Sequence, residues 1–299
     1  MLTIFTPTYN RAHTLPRLYA SLQKQDNKDF EWLVADDGST DGTQGLFEQW
    51  AGKDNGFPIR YQKIAHGGKQ RAINWGISHS RGDFFFIVDS DDYLTPDAVC
   101  FIIESLSLLP RDASFIGVSG LRSDINFLPL GEGFRVVGNV PWVDASNIER
   151  KRIGLSADMA EVFITDILRK YPFPVWNGET FTPEDVVWDK MALDGYKIRW
   201  INRIICVCDY QKGGLSDSSW LLLKENPMGF ALLFDTKLRS AKGVNKRLHF
   251  LLNFLSCCFL GKEWRFIKKS CTPFWALVLS PVGFFLSRRR MRQINLYIQ

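Results

Sequence analysis

The 299-residue chain of 34.3 kDa is 45% hydrophobic and 23% charged, a globular composition that excludes disordered, collagen-like and disulfide-stapled chains. Its formal charge of +5 is unevenly spread: residues 224–299 hold 14 basic and 3 acidic side chains, against 23 and 29 in the preceding residues. A generic nucleic-acid binder would carry its basic surface on the folded body, so an acidic body with a basic, aromatic tail points elsewhere.

Five short apolar runs, at 2–6, 31–35, 59–62, 84–88 and 115–120, alternate with helix-like segments. Such nearly continuous runs suit strands buried on both faces of a parallel sheet. Leu15, Leu18, Tyr19 and Leu22 repeat at helical spacing between the first two runs. After the fourth run, Thr95 is expected as N-cap and Pro96 as first helical residue, with Val99, Ile102, Ile103 and Leu106 facing inward. The alternation predicts an α/β fold with a mainly parallel sheet. The ligand of such a sheet is expected beyond the carboxyl ends of its strands.

Those ends are polar and acidic. The first strand runs into Thr6-Pro7-Thr8-Tyr9-Asn10, the second into Asp36-Asp37-Gly38-Ser39-Thr40-Asp41-Gly42 and the fourth into Asp89-Ser90-Asp91-Asp92. Carboxylates crowded together repel unless a cation joins them, and hard divalent ions favour such oxygens with a substrate phosphate. A solvated turn leading into the next helix is the alternative reading of the third cluster. Asp37-x-Ser39-x-Asp41-Gly42 with Glu48 imitates a calcium loop, but the helix such a loop needs is replaced by the strand-like Phe30-Glu31-Trp32-Leu33-Val34-Ala35. An aspartate there can instead accept a hydrogen bond from a base N–H.

Further on, His66-Gly67-Gly68-Lys69-Gln70-Arg71-Ala72-Ile73-Asn74 opens a helix whose glycines allow close backbone approach and whose Lys69 and Arg71 suit phosphates. Thr182 is expected to cap a helix with Pro183 in its first turn and Gly195 at its end. Glu184 and Asp185 then fall near the positive end of the helix dipole, as ordinary first-turn acids or with Asp185 as a general base. The six cysteines (Cys100, Cys206, Cys208, Cys257, Cys258 and Cys271) form no CxxC pair and read as buried thiols of a reducing compartment. The opening Met1-Leu2-Thr3-Ile4-Phe5 has neither a basic nor a long apolar leader, so a cytosolic catalytic part is expected.

Taken in order, Thr6-Pro7-Thr8-Tyr9-Asn10-Arg11, Asp36 to Thr43, Gly82-Asp83 and Asp89-Ser90-Asp91-Asp92 closely resemble the family 2 inverting glycosyltransferases with a GT-A fold, over roughly residues 1–215. Gly178-Glu179, Glu184-Asp185 and Gly213-Gly214-Leu215-Ser216 resemble the acceptor half of bacterial surface-polysaccharide members. The resemblance implies a Rossmann-like, mostly parallel central sheet flanked by helices in a domain over 1–220, with a nucleotide-binding half (1–120) and an acceptor half (121–220). Residues 221–299 would be a C-terminal helical extension associated with membrane.

It further implies that Thr6, Pro7, Tyr9, Arg11, Asp36, Asp37, Lys69, Asn74 and Ser90 bind the nucleotide and donor, with Asp37 on a uracil-type base. Asp89 and Asp91, with Asp92 an open third choice, would hold Mg2+ or Mn2+, and Asp185 would be the catalytic base with Glu184 beside it. The implied partners are a nucleotide-sugar donor, probed first as a UDP-sugar, and a glycan or polyprenyl-linked glycan acceptor. A nucleotidyltransferase that forms sugar nucleotides, and a non-catalytic nucleotide-binding protein, are the alternative classes. The first would be expected to carry a glycine-rich basic loop where this chain has Pro7-Thr8-Tyr9-Asn10.

The tail contains two uncharged runs, 248–261 and 270–287. The second has 18 residues but is interrupted by Pro273 and Pro281, and it ends on Arg288-Arg289-Arg290. About 20 apolar residues are needed to cross a bilayer. The run therefore suits attachment to the inner membrane surface or, alternatively, packing on the protein or against a second copy.

Overall fold

The computed structural model describes residues 1–134, 140–209 and 219–298. Two compact units make up the chain: Met1–Pro172 with Asp194–Gln211, and Phe173–Leu193 with Lys212–Gln299.

The first unit is a sheet flanked by helices. Its strands are β1 (Leu2–Thr8), β2 (Phe30–Asp36), β3 (Ile59–Lys63), β4 (Phe84–Ile87), β5 (Asp92–Leu94), β6 (Phe115–Ser123), β7 (Gly131–Phe134), β8 (Trp142–Ala145), β9 (Leu155–Ala157), β10 (Met159–Ile164) and β11 (Lys197–Cys208). Its helices are α1 (Leu15–Gln23), α2 (Thr43–Ala51), α3 (Lys69–His79), α4 (Ala98–Ser107) and the single turns α5 (Asn147–Arg150) and α6 (Thr165–Leu168). The large sheet has the order β3-β2-β1-β4-β10-β6-β11-β5, with β8 also on β11. The stretch β3-β2-β1-β4 is parallel, and β10 runs antiparallel between β4 and β6.

Every residue of β1 and β2 is buried, as their near-continuous apolar sequence requires. On one face Leu2, Ile4, Trp32 and Val34 pack with Leu15, Leu18 and Leu22 of α1 and with Phe47 and Trp50 of α2. On the other, Phe5 stacks on Phe85, and a Cβ built on Gly76 of α3 would lie 2.2 Å from the Phe5 ring. Gly76 thus lets α3 sit directly on β1. This close approach delivers the start of α3 to the carboxyl ends of the strands.

One expected helix start shifts. α4 begins at Ala98 with Asp97 as N-cap, because the Thr95 amide pairs with the Ile205 carbonyl (3.1 Å) and its hydroxyl with Asp97 (3.0 Å). Thr95 is thus held by the strand pairing of β5 and β11. The Thr182 hydroxyl donates to the Pro174 carbonyl (3.0 Å), and the helix that follows it starts at Asp185.

The second unit is helical: α7 (Asp185–Leu193), α8 (Ser219–Glu225), α9 (Pro227–Ser240), α10 (Val244–Leu260), α11 (Pro273–Val278) and α12 (Ser280–Ile298), with a 3-10 segment at Trp264–Lys269. Leu251, Phe254, Leu255, Cys257 and Cys258 of α10 form its core with Met228, Ala231 and Leu238 of α9. The Glu179 carboxylate accepts the amides of Met228 (2.7 Å) and Gly229 (2.9 Å), which caps α9. All six cysteines are free thiols.

Gly76→Ala tests the close approach of α3. Alanine is the better helix former by about 1 kcal/mol, yet overpacking against Phe5 should lower stability by about 1–3 kcal/mol. A reduced urea midpoint is expected, and an unchanged one would show that α3 can move off the sheet at no cost.

Candidate active site

Three loops at the carboxyl ends of β1, β2 and β4 are laced together by hydrogen bonds. After β1, Asn10 takes a left-handed conformation (φ 52), which asparagine tolerates better than most residues. Its amide donates to Ser39 Oγ (2.8 Å), and its Oδ1 accepts the Thr40 amide (2.8 Å). The Asp41 carboxylate accepts the Ala12 amide (2.9 Å) and also caps Thr43 at the start of α2. These bonds and the strand before the loop leave no calcium-binding helix–loop–helix at 37–48.

The two acids ending β2 are committed to protein groups. Asp36, fully buried, accepts the Ser39 amide (2.7 Å) and the Tyr61 hydroxyl (2.5 Å); burial together with this carboxylate pushes the Tyr61 phenol up. Asp37 accepts the amides of Gly67 and Gly68, both at 2.8 Å, and its Oδ2 lies 2.9 Å from His66 Nδ1. Gly68, at φ 95, is the N-cap of α3 and needs the freedom of glycine. Lys69 follows as the first residue of α3, and its Nζ reaches Asp89 at 2.8 Å. Beside Asp37, the Tyr9 ring stacks on His66 with centroids 4.5 Å apart.

The acids after β4 lie in different surroundings. Burial would raise the Asp89 carboxyl, but Lys69 and Arg122 outweigh it and hold the group below its ordinary value. Burial and the Asp89 charge push the Asp91 carboxyl up. Asp92 is buried with its Oδ2 2.6 Å from Arg122; burial still pushes its carboxyl up to about 6. Cys208 Sγ (3.3 Å) and Cys206 Sγ (3.8 Å) also donate to that oxygen. Among the described residues, Asp92, Cys206 and Cys208 bring ligand-type atoms within 4.8 Å of one another, but the Arg122 guanidinium already supplies the positive charge there.

Arg122, Arg17 and Asp209 are site residues that pattern reasoning missed. Arg17 donates to the Asp91 carbonyl (2.5 Å) and pairs with Asp209. Each meets its partner across a long stretch of chain, so no local spacing announces it. Two expected donor-binding residues, Asp37 and Lys69, are linked through residues 67–68, and Lys69 joins them to Asp89, an expected metal ligand. Thr6 instead turns its hydroxyl inward, to accept Trp32 Nε1 (3.1 Å). Pro7 is buried within β1, Ser90 is buried in the loop after β4, and Arg11 and Asn74 are half-buried.

Within the second unit, Lys237 Nζ lies 2.7 Å from both Asp185 Oδ2 and Asp189 Oδ2. Burial would lower the Lys237 ammonium, but Asp185 and Asp189 outweigh it and raise it. Glu184 lies in the turn before α7, its carbonyl accepting the Val187 amide (2.9 Å). The expected Gly213-Gly214-Leu215-Ser216 element lies outside the described residues.

Comparison with known proteins agrees with this layout. A family model described as glycosyl transferase family 2 matches residues 3–158. Abequosyltransferase RfbV of Salmonella typhimurium is 33% identical over 105 residues, 34% of this chain and 31% of that protein. The chain spans about a third or less of the length of the curated relatives it matches. Among solved structures, Staphylococcus aureus TarS 1-349 in complex with UDP-GlcNAc superposes with a TM-score of 0.63 at 17% identity, covering 98% of this chain and 91% of that one. The mannosyltransferase PcManGT of Pyrobaculum calidifontis, in complex with GDP-Man and Mn2+, gives 0.58 at 20% identity, covering 98% and 83%. These likenesses establish the GT-A fold.

Asp37→Ala removes the acceptor of two amides, that of Gly68 buried and that of Gly67 partly so, which should cost about 1–3 kcal/mol. Faster hydrogen exchange at Gly67 and Gly68 is the expected signature. Unchanged protection of both amides would mean that residues 66–68 are held by something else.

Proposed function

Since the chain belongs to glycosyl transferase family 2, we propose that it is an inverting glycosyltransferase of bacterial surface-polysaccharide synthesis. It moves a sugar from a UDP-sugar to a hydroxyl of a glycan, or of a glycan on a polyprenyl diphosphate, at the inner face of the cell membrane. One observation carries the reading: Asp37 anchors the Gly67-Gly68 turn that sets Lys69 against Asp89, joining the ends of β2 and β4. This is where an open α/β sheet binds its ligand.

In this reading the uracil lies near Asp37, with Tyr9 and His66 as a stacking surface, and Arg11 and Lys69 face the diphosphate. The acid cluster fits a divalent cation by its donor set. The carboxyl of Asp91 is pushed up by burial and by Asp89, the like-charge crowding that a cation relieves. Asp92 is already matched to Arg122, so Asp89 and Asp91 would hold the metal, as Mn2+ or Mg2+. When bound, the ion supplies Lewis-acid stabilisation of charge on the departing nucleoside diphosphate. Among the described residues no helix is long and apolar enough to cross a membrane.

Asp185 is the base. Its carboxylate takes the proton of the acceptor hydroxyl as that oxygen bonds to the anomeric carbon and the bond to the nucleoside diphosphate breaks. The attack comes from the face opposite the leaving group, so configuration inverts in one displacement. Lys237, 2.7 Å from both Asp185 and Asp189, holds the Asp185 carboxylate in position on the first turn of α7. Holding both substrates in line supplies much of the remaining acceleration.

Asp185→Asn should lower transfer by about 100-fold or more while calorimetry finds UDP affinity nearly unchanged. Full residual turnover would remove Asp185 from this role. Asp91→Ala should weaken UDP-sugar binding in the presence of Mn2+ by at least about tenfold, or 1.4 kcal/mol, and binding that keeps its full response to EDTA and Mn2+ would count against Asp91 as a ligand.

A further inference from the structure

The two uncharged runs of the tail have opposite fates. In the first, now α10, Leu251, Phe254 and Leu255 are buried in the core of the second unit. In the second, Phe274, Trp275, Leu277, Val278, Phe284 and Phe285 all remain exposed, with Phe274 at 68%, Trp275 at 58% and Phe285 at 73%. Large apolar side chains concentrated in one short stretch are unusual on a protein surface and mark an interaction site.

The geometry of α12 explains the exposure. Gly283, Ser287 and Ile294 lie on its buried side; a Cβ on Gly283 would meet Leu255 of α10 at 2.4 Å, and Arg290 is bonded to Asn253. Val282, Phe285, Arg289, Arg292 and Leu296 then form one exposed stripe at i, i+3, i+7, i+10 and i+14. The stripe is apolar at its start and cationic further along. Lys268, Lys269 and Arg288 are exposed as well, and across residues 262–292 eight basic side chains face a single acid, Glu263.

We infer that the exposed aromatic edge of α11 and α12, with the cations that border it, docks on an anionic lipid surface. Aromatic and aliphatic side chains would enter the headgroup boundary while lysines and arginines meet lipid phosphates, as in an interfacial helix lying on a bilayer. Charge decides against a second copy as occupant. A two-fold interface through this face would bring the arginine-rich surface of one copy against the same surface of the other, a like-charge juxtaposition. This deepens the membrane-side function proposed above, and rests on it only for the lipid-linked nature of the acceptor.

The test is sedimentation of the full chain with vesicles of phosphatidylcholine containing one-third phosphatidylglycerol, and with pure phosphatidylcholine vesicles. Two triple variants accompany it: Phe274→Ser with Trp275→Ser and Phe285→Ser, and Arg288→Gln with Arg289→Gln and Arg292→Gln. All six positions are exposed, so thermal melts should stay unchanged. Cutting the chain after Ser240 would instead strip α10 from the core. The parent chain should bind the anionic vesicles in a salt-sensitive way, and each variant should bind at least about tenfold more weakly.

A parent chain that stays in the supernatant overturns the inference. So do variants that bind as the parent does, or light scattering that shows an oligomer which the aromatic variant converts to monomer. UDP binding is measured on the same samples. Lost vesicle binding with intact UDP binding overturns only the lipid surface, whereas a parent chain that sediments with the vesicles yet binds no UDP with Mn2+ overturns only the transferase reading.

Discussion

Asp37 ends β2 with a nearly sealed carboxylate whose oxygens accept the amides of Gly67 and Gly68. A buried carboxylate is costly unless its lone pairs are filled, and charge-assisted bonds to backbone amides fill them well. The constraint acts on more than one residue. With the two amides fixed, the turn can only be made by a glycine at Gly68, and α3 must begin at Lys69. Gly76, two turns later, lets the same helix lie against Phe5 of β1. The two contacts together fix the position and the direction of α3, and Lys69 reaches Asp89 as a result.

The three acids after β4 show how one sheet edge gives neighbouring carboxylates different properties. Asp89 is held ionised by Lys69, with help from Arg122, although burial opposes it. Asp91 has no such dominant partner; burial and Asp89 both push it up. Asp92 is buried against Arg122 and the thiols of Cys206 and Cys208, which anchors the base of the loop to β11. Burial thus raises two of the three carboxyls, Asp91 and, to about 6, Asp92, while the cations beside Asp89 hold that one down. A capping turn would satisfy its acids with helix amides. None of the three caps α4; Asp97 occupies its N-cap position.

Much of this was legible in the sequence where local physics dominates. β1, β2 and β4 are nearly unbroken apolar stretches, and strands buried on both faces can hardly look otherwise. The loops that follow them were legible too, because acids directly after such stretches have few other uses. What was not legible depends on contacts distant in sequence. Thr95 looks like an N-cap until Ile205 claims its amide. Arg122 and Lys237 sit in unremarkable local patterns, and only the folded chain sets them beside Asp92 and beside Asp185 with Asp189. Thr6 carries the motif's polar character but spends its hydroxyl on the Trp32 indole within the core.

The tail makes the same point through composition. Two uncharged, phenylalanine-rich runs differ little as strings, yet one builds a core and the other lies on the surface. The difference is one of spacing and neighbours. The 248–261 run lies mostly within a continuous 17-residue helix, Val244–Leu260, with Gly243 as N-cap, long enough to present Leu251, Phe254, Leu255 and Cys258 on one side. Pro273 and Pro281 divide the 270–287 run into a six-residue helix and the start of a longer one. Short, divided helices can bury only a narrow strip each, here Ala276 on the first and Gly283 and Ser287 on the second. Small side chains thus occupy the buried positions, and the large apolar ones are left outside. Placing the small residues inward is what allows α12 to approach α10 closely, and it is also what leaves Phe274, Trp275 and Phe285 exposed.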